Sequence, residues 1–163
     1  MSKNFNLEII SPDQTLFNSE VKQVTIPAYE GMMTILKDHI SLITFLRPGF
    51  IEVEINAKNL KFYVEDGTVE FFDNKLLILS SSATEVEKLT KDNIEKMLEE
   101  SKSLIQNSEI NDKEKYILSY KIDTLQEINW YIFLILLVLL GKHVFWNVQL
   151  GQVTSSYLST SIQ

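Results

Sequence analysis

Asp38 and His39 are the neighbouring side chains of this sequence that come closest to an acid–base pair. General acid–base catalysis needs donor and acceptor groups within hydrogen-bond reach of the proton that they transfer. Adjacent residues on a strand point to opposite faces, so this pair has poor geometry for catalysis. We therefore predict that His39 has a structural or interface role and that the chain has no catalytic residue.

Covalent and metal chemistry have few side chains to draw on. The 163 residues include no cysteine and two histidines. Disulfides, thiolate metal sites and cysteine nucleophiles are thereby excluded, and a histidine-rich metal site is poorly supported. We predict no cofactor-binding residue and no metal site.

Glu30–Gly31 is the other local candidate for function. The simplest interpretation is a turn, because glycine accepts backbone angles that other residues avoid. An exposed turn can also contact a partner, and the pair alone leaves both interpretations open.

Charge divides the chain into two unlike parts. The formal net charge is -7, which argues against a nucleic-acid partner. All 22 acidic residues lie at or before Glu127, and Lys142 is the only fully charged residue after it. An acidic body is therefore followed by an almost uncharged tail. No apolar signal segment follows Met1, so we expect the body to work in the compartment where it is made.

Short segments with a period of two run from Phe5 to about Ser82, as in Ile51, Val53 and Ile55. Closely spaced turn signals interrupt them, and Asp66–Gly67 and Asp73–Asn74 have the composition of hairpin turns. We predict an antiparallel β-sandwich over residues 1–84.

The period changes beyond residue 84. Thr90 is a candidate helix cap with Asp92 in the first turn, and a second helix is expected to begin near Asp112 after a connector over 107–112. Two short amphipathic helices with a short connector form an antiparallel hairpin. The predicted fold class is therefore α+β, with the α-helical hairpin over residues 85–128.

Residues 129–163 form the apolar tail. Trp130 to Leu140 is uninterrupted in its apolarity but is shorter than the roughly 20 residues that span a bilayer. Extension to Val148 includes Lys142, which makes spanning marginal. Three interpretations stay open: a membrane-associated anchor, a helix docked on a partner or on the sandwich, and an extension without a selected role, such as a read-through or frame-altered product.

The segment from Ala28 to Gly49 resembles the signature of the epsilon subunit of F-type ATP synthase. The matching positions are Glu30–Gly31, Thr34–Ile35–Leu36, His39, Leu42 and Pro48–Gly49. The opening Leu7–Pro12 and the strand pair from Tyr63 to Phe72 are also similar to the family. The resemblance covers about Phe5 to Ile128, and the tail has no counterpart in it.

The resemblance implies a non-catalytic rotor subunit of a proton-translocating ATP synthase, without a cofactor. Its partners would be the gamma subunit, the c ring and, through the hairpin, the alpha/beta catalytic head, with a role in regulating ATP hydrolysis. It would sit on the cytoplasmic face of the bacterial inner membrane, peripherally and through the complex. The residues that would face the c ring are Glu30, Gly31, Met32, Asp38 and His39.

The sequence departs from the family pattern at several positions. Met32 stands where many members have a second acidic residue, Asp38 where they have glycine, and Ser41 where proline is common. Some members bind ATP on the hairpin through an aspartate and two arginines. Arg47 is the only arginine of this chain and precedes the hairpin, so ATP binding there is not expected.

The residues alone also permit a different class of function. A free-standing β-sandwich could bind a ligand and be tethered to a membrane by its C-terminal tail. That alternative predicts a concave apolar pocket on the sandwich. An enzyme ranks third, because it would need a cleft that brings a distant carboxylate to His39.

Overall fold

The computed structural model describes residues 4–56, 58–106 and 110–159. Their strands are β1 Phe5–Ile10, β2 Thr15–Val21, β3 Gln23–Ala28, β4 Gly31–Leu36, β5 Leu42–Leu46, β6 Gly49–Ile55, β7 Lys58–Val64, β8 Gly67–Phe72, β9 Lys75–Leu79 and β10 Thr84–Glu85. A 3-10 turn at Val86–Lys88 leads to the helices α1 Lys91–Ile105 and α2 Asp112–Ser159.

The strands form two layers. One has the order β4-β3-β6-β7-β10 and the other β5-β8-β9-β1-β2, and the pair Ala28↔Leu46 connects them. This arrangement confirms the predicted sandwich and the helical hairpin after it. One strand pair differs from the antiparallel prediction, because β1 and β9 are parallel. Strands so far apart in sequence need no hairpin between them, so either direction is open to them.

The core lies between the layers and follows the alternation of the strands. Phe5, Leu7 and Ile9 of β1 are buried while the residues between them are partly exposed. Phe17 of β2 meets Phe62 of β7 edge-to-face, with ring centroids 5.7 Å apart. Aromatic contacts of this geometry add to the free energy gained from burying the apolar surface.

Tyr63 is an exception to the predicted alternation. The pattern places it on the solvent side of β7, yet it is only 1% exposed and lies outside the sandwich core. Its hydroxyl donates a hydrogen bond to Glu65 at 3.2 Å. Burial, with the neighbouring Glu65 carboxylate, raises the pKa of Tyr63 far above its usual range. Both faces of β7 are therefore covered at this residue.

The two predicted hairpin turns have different outcomes. Asp73 and Asn74 have φ angles of 47° and 58° and join the paired strands β8 and β9, which confirms the prediction. The prediction for Asp66–Gly67 is wrong, because β7 pairs with β6 and β10 whereas β8 pairs with β5 and β9. This turn instead carries the chain from one layer to the other.

Both helices begin at the predicted capping residues. The Thr90 hydroxyl accepts a hydrogen bond from the Asn93 amide at 3.4 Å. At the start of α2, the Asn111 side chain accepts from the Glu114 amide at 2.9 Å, and the Glu114 carboxylate accepts from the Asn111 amide at 3.1 Å. This reciprocal pair satisfies two backbone donors that a helix N-terminus leaves free. Residues 107–109 of the predicted connector lie outside the described residues.

Helix α2 passes residue 129 without a break. The chain nevertheless divides into two compact units, Met1–Gln126 and Glu127–Gln163. In the second unit large apolar side chains are exposed, among them Trp130, Phe133 and Val138. Within the described part of the chain, no helix is both long enough and apolar enough to cross a membrane.

Candidate interaction surfaces

Four large apolar side chains project from the outer side of the layer that contains β5, β8 and β9. They are Ile43, Phe45, Phe72 and Leu79, with exposed fractions of 71%, 61%, 65% and 46%, and we call them the apolar face. The register explains their common side, since Phe45 and Leu79 both pair with Thr68 of the strand between them.

The apolar face is grouped and has charged neighbours. Single exposed apolar residues are ordinary, whereas a contiguous group bordered by polar residues marks a site of interaction. Glu70 lies on β8 opposite Ile43, and Lys75 forms an ion pair with Glu8 at 2.9 Å. This arrangement is typical of a protein-docking surface with a polar border.

An open groove of about 1180 Å³ lies between the sandwich and the first part of α2. Its lining includes three cations, Arg47, Lys113 and Lys121, and three carboxylates, those of Glu30, Glu65 and Asp66. The alternative function predicts a concave apolar pocket on the sandwich itself. This groove is charged, and one of its sides is a helix.

Two contacts hold the first part of α2 on the sandwich. Lys121 donates to the Glu65 carboxylate at 2.7 Å, and both side chains are partly buried. Arg47 places its guanidinium 3.9 Å from the centre of the Tyr120 ring, a cation–π contact. The sequence patterns did not reveal either pair; the one available signal was that Arg47 is the only arginine.

Glu30, Gly31 and Met32 lie at the turn between β3 and β4. The φ angle of Gly31 is 137°, which glycine adopts easily and other residues do not. Gly31 pairs with Ala28 to close the hairpin, while Glu30 and Met32 are exposed. The predicted turn is therefore present, and its two flanking side chains are accessible.

Asp38 and His39 lie just beyond the far end of β4. The Asp38 amide donates to the Asn74 side chain at 2.7 Å, and the Asn74 amide group donates back to the Asp38 carboxylate at 3.0 Å. The His39 ring meets Phe71 edge-to-face, with centroids 5.8 Å apart, and its Nδ1 atom lies 2.8 Å from the Ile40 carbonyl oxygen. The two neighbours thus have different partners.

The structure does not bring the five predicted ring-facing residues together. Six residues of β4 separate Glu30 from the loop of Asp38, and at ~3.3 Å per residue this is about 20 Å. The turn of Glu30, Gly31 and Met32 is therefore one surface and the loop of Asp38 and His39 another. Among the described residues, no cluster of three or more potential metal-binding side chains occurs.

Asp38 provides a test of how its loop is held. Its φ angle of 62° is unfavourable for most residues but tolerated by aspartate. We expect Asp38→Ala to lower the free energy of unfolding by about 1–2 kcal/mol, since it loses the bond to Asn74 and keeps the strained angle. Asp38→Gly relieves the angle and should cost less than half as much. Urea unfolding measures both, and equal losses would contradict this account of the loop.

Comparison with known proteins assigns the family. Residues 4–86 match the family described as "ATP synthase, Delta/Epsilon chain, beta-sandwich domain". The ATP synthase epsilon chain of Pelagibacter ubique is 42% identical over 130 residues, which cover 79% of this chain and all of that protein. The chain belongs to the ATP synthase epsilon family. The epsilon chain of Nitratiruptor sp. is 36% identical over 106 residues, 64% of this chain and 82% of that one.

Solved structures share the fold of this family member. A chain of the Euglena gracilis mitochondrial ATP synthase, in a structure of OSCP, F1 and c-ring, has a TM-score of 0.64 at 20% identity and covers 81% of this chain and 83% of its own. A chain of the central stalk and c-ring of the Tetrahymena thermophila mitochondrial ATP synthase has a TM-score of 0.55 at 15% identity, over 76% and 95%. The predicted family is thus confirmed, and the chain is a subunit of a membrane-associated complex that transports protons.

Proposed function

We propose that this chain is a non-catalytic central-stalk subunit that binds the gamma subunit through its apolar face and so couples rotation of the c ring to ATP synthesis. The observation that carries the proposal is the grouped exposure of Ile43, Phe45, Phe72 and Leu79 on one side of one layer. Membership of the epsilon family supplies the partner, since the resemblance implies that the sandwich packs on gamma.

Burial of the apolar face favours a lasting contact. Complete burial of one large apolar side chain contributes about 1.5–3 kcal/mol. Four such side chains therefore contribute on the order of 5–10 kcal/mol before the costs of association, which is enough for a micromolar complex when the fit is good. A rotor subunit needs this property, because it must turn with gamma rather than exchange.

The c-ring contact belongs, in this proposal, to the turn of Glu30, Gly31 and Met32. The turn is exposed and carries a carboxylate beside an apolar side chain, which suits the polar loops that the family resemblance implies for the ring. Asp38 and His39 are assigned to the border of the apolar face instead. His39 packs on Phe71 of β8, the strand that also carries Phe72 of the apolar face.

The remaining roles follow from this placement. The subunit transmits torque and makes or breaks no bond. Its bacterial relatives support a position on the cytoplasmic face of the bacterial inner membrane, held there through the complex. Contact with the alpha/beta head and regulation of ATP hydrolysis are part of the proposal only for a state in which α2 leaves the sandwich, since Lys121 and Tyr120 bind the sandwich here.

The proposal is tested by calorimetric titration of the full chain into the gamma subunit of the Pelagibacter ubique enzyme. We expect a one-to-one complex with a dissociation constant at or below about 1 μM, the affinity equivalent of ~8 kcal/mol. A folded chain that does not associate at micromolar concentration contradicts the proposal and leaves the ligand-binding alternative.

The ring contact is tested separately. The preformed complex of gamma and this chain is added to detergent-solubilised c ring, with Glu30→Lys and Met32→Ser as variants. Both substitutions change the turn and leave the apolar face intact, so they should weaken capture by the ring at least tenfold without changing affinity for gamma. Asp38→Asn serves as the matched control from the other end of β4. A larger loss for this control would return the contact to Asp38 and His39.

A further inference from the structure

Arg47 stands between the β3–β4 turn and helix α2. On the side of the turn, its Nε atom donates to the Ala28 carbonyl at 3.2 Å, and a terminal nitrogen lies 4.0 Å from the sulfur of Met32. On the side of the helix, the same guanidinium covers the Tyr120 ring at 3.9 Å. A single planar group thus contacts two surfaces for which the sequence predicts separate roles.

We propose that Arg47 couples the β3–β4 turn to helix α2, so that a partner seated on the turn changes how readily the first part of α2 leaves the sandwich. The position of the guanidinium depends on Met32 and Ala28, and the contact with Tyr120 depends on that position. Displacement of Met32 by a partner therefore changes the attachment of the helix.

The backbone around Arg47 is fixed well enough to transmit such a change. The Arg47 amide donates to the Pro27 carbonyl at 3.0 Å, and the Tyr29 amide donates to the Phe45 carbonyl at 3.1 Å. A side chain whose base is held at this junction has only its outer part free to move. Contact with a partner at Met32 therefore acts on the guanidinium rather than on the strand.

The attachment of α2 is suited to release. Tyr120 and Lys121 are consecutive helix residues, and the contacts that they make, with Arg47 and Glu65, are polar. The open groove lies beside them, so this part of the helix is not sealed by close packing. A helix held by a few polar contacts over an open groove has two available arrangements, attached and lifted, as coupling between sites requires.

Tyr29 and Lys113 form a second, weaker connection between the same elements. The ammonium of Lys113, in the first turn of α2, lies 5.9 Å from the centre of the Tyr29 ring. This distance is near the limit of a cation–π contact, so Arg47 is expected to dominate the coupling.

The coupling is measured on the full chain alone by the distance between spin labels at Ser81→Cys and Ser119→Cys. The natural sequence has no cysteine, so the two labels are the only ones attached. Arg47→Met and Tyr120→Leu should each raise the lifted population at least threefold. The two together should do no more than either alone, because they remove the same contact.

Conservative variants separate this contact from general loosening. Tyr120→Phe keeps the aromatic ring and should retain the population of the unsubstituted chain. Lys61→Met removes another cation–π contact, that of Lys61 with Phe50 at 4.9 Å, and is the matched control. If Arg47→Met unfolds the sandwich in circular dichroism, Tyr120→Leu carries the same measurement without altering any sandwich side chain.

Met32→Ala tests the coupling itself. It should raise the lifted population about twofold in the natural background and leave it unchanged when Arg47 is already methionine. An equal effect in both backgrounds, or no effect of Arg47→Met and Tyr120→Leu, overturns the proposal. The role of the ring as the partner at the turn rests on the proposed function, but this measurement needs neither gamma nor ring, so the two ideas can fail separately.

Discussion

Replacement of Ile43 and Phe45 by aspartate is expected to weaken binding to gamma at least 100-fold while the sandwich stays folded. Each substitution removes a large apolar side chain worth about 1.5–3 kcal/mol on burial and places a charge in the interface. A loss of ~2.7 kcal/mol already corresponds to 100-fold in affinity. Both residues are mostly exposed in the free chain, so the melting temperature should change by only a few degrees. Calorimetric titration against gamma gives the affinity.

Leu104→Asp is the matched control for this experiment. Leu104 is 51% exposed on α1, so the substitution has the same chemistry outside the apolar face. It should leave the affinity for gamma within about twofold. Equal losses from Leu104→Asp and from the paired substitution would mean that aspartate acts through net charge, and the apolar face would lose its assignment.

Gly67→Ala is expected to lower the free energy of unfolding by about 2–4 kcal/mol. A Cβ atom there would lie 2.8 Å from the Leu79 carbonyl oxygen and 3.0 Å from the Leu46 side chain, and the φ angle is 156°. The carbonyl belongs to the backbone of a paired strand, so it cannot move aside cheaply. Urea unfolding followed by intrinsic fluorescence measures the loss.

Gly31→Ala separates backbone strain from steric overlap. Gly31 also has a positive φ, 137°, but a Cβ atom there would meet nothing within 4 Å. We expect a loss of only about 1 kcal/mol, from the backbone angle alone. If both variants lose the same amount, the close approach at Gly67 does not control stability.

Local periodicity predicted the elements well because it depends on which side of a strand is buried. Ile51 and Val53 of β6 are buried as expected, and α2 begins at the predicted Asp112. The failures involve partners from distant sequence. Tyr63 is buried outside the sandwich core, and Asp66–Gly67 joins strands of different layers although its composition is that of a hairpin. A pattern of neighbours carries no information on such partners.

The candidate surfaces were predicted less completely than the fold. The signature segment includes both Glu30 and His39, and their closeness in sequence suggested a single contact. The extended strand β4 between them makes that impossible for a compact surface. The apolar face went unnoticed because Ile43 and Phe45 belong to strand β5, whose outward side becomes recognisable only when β8 and β9 are placed beside it.

The parallel pair of β1 and β9 also determines when the fold can be completed. Asn6 pairs with Lys75, so the first strand must wait until nearly 70 further residues have been synthesised. At ~5–20 residues per second this takes roughly 4–14 s, during which β1 can pair only with β2. The first hairpin therefore leaves the ribosome with one open edge, and the layer that carries the apolar face closes only after β9 has emerged.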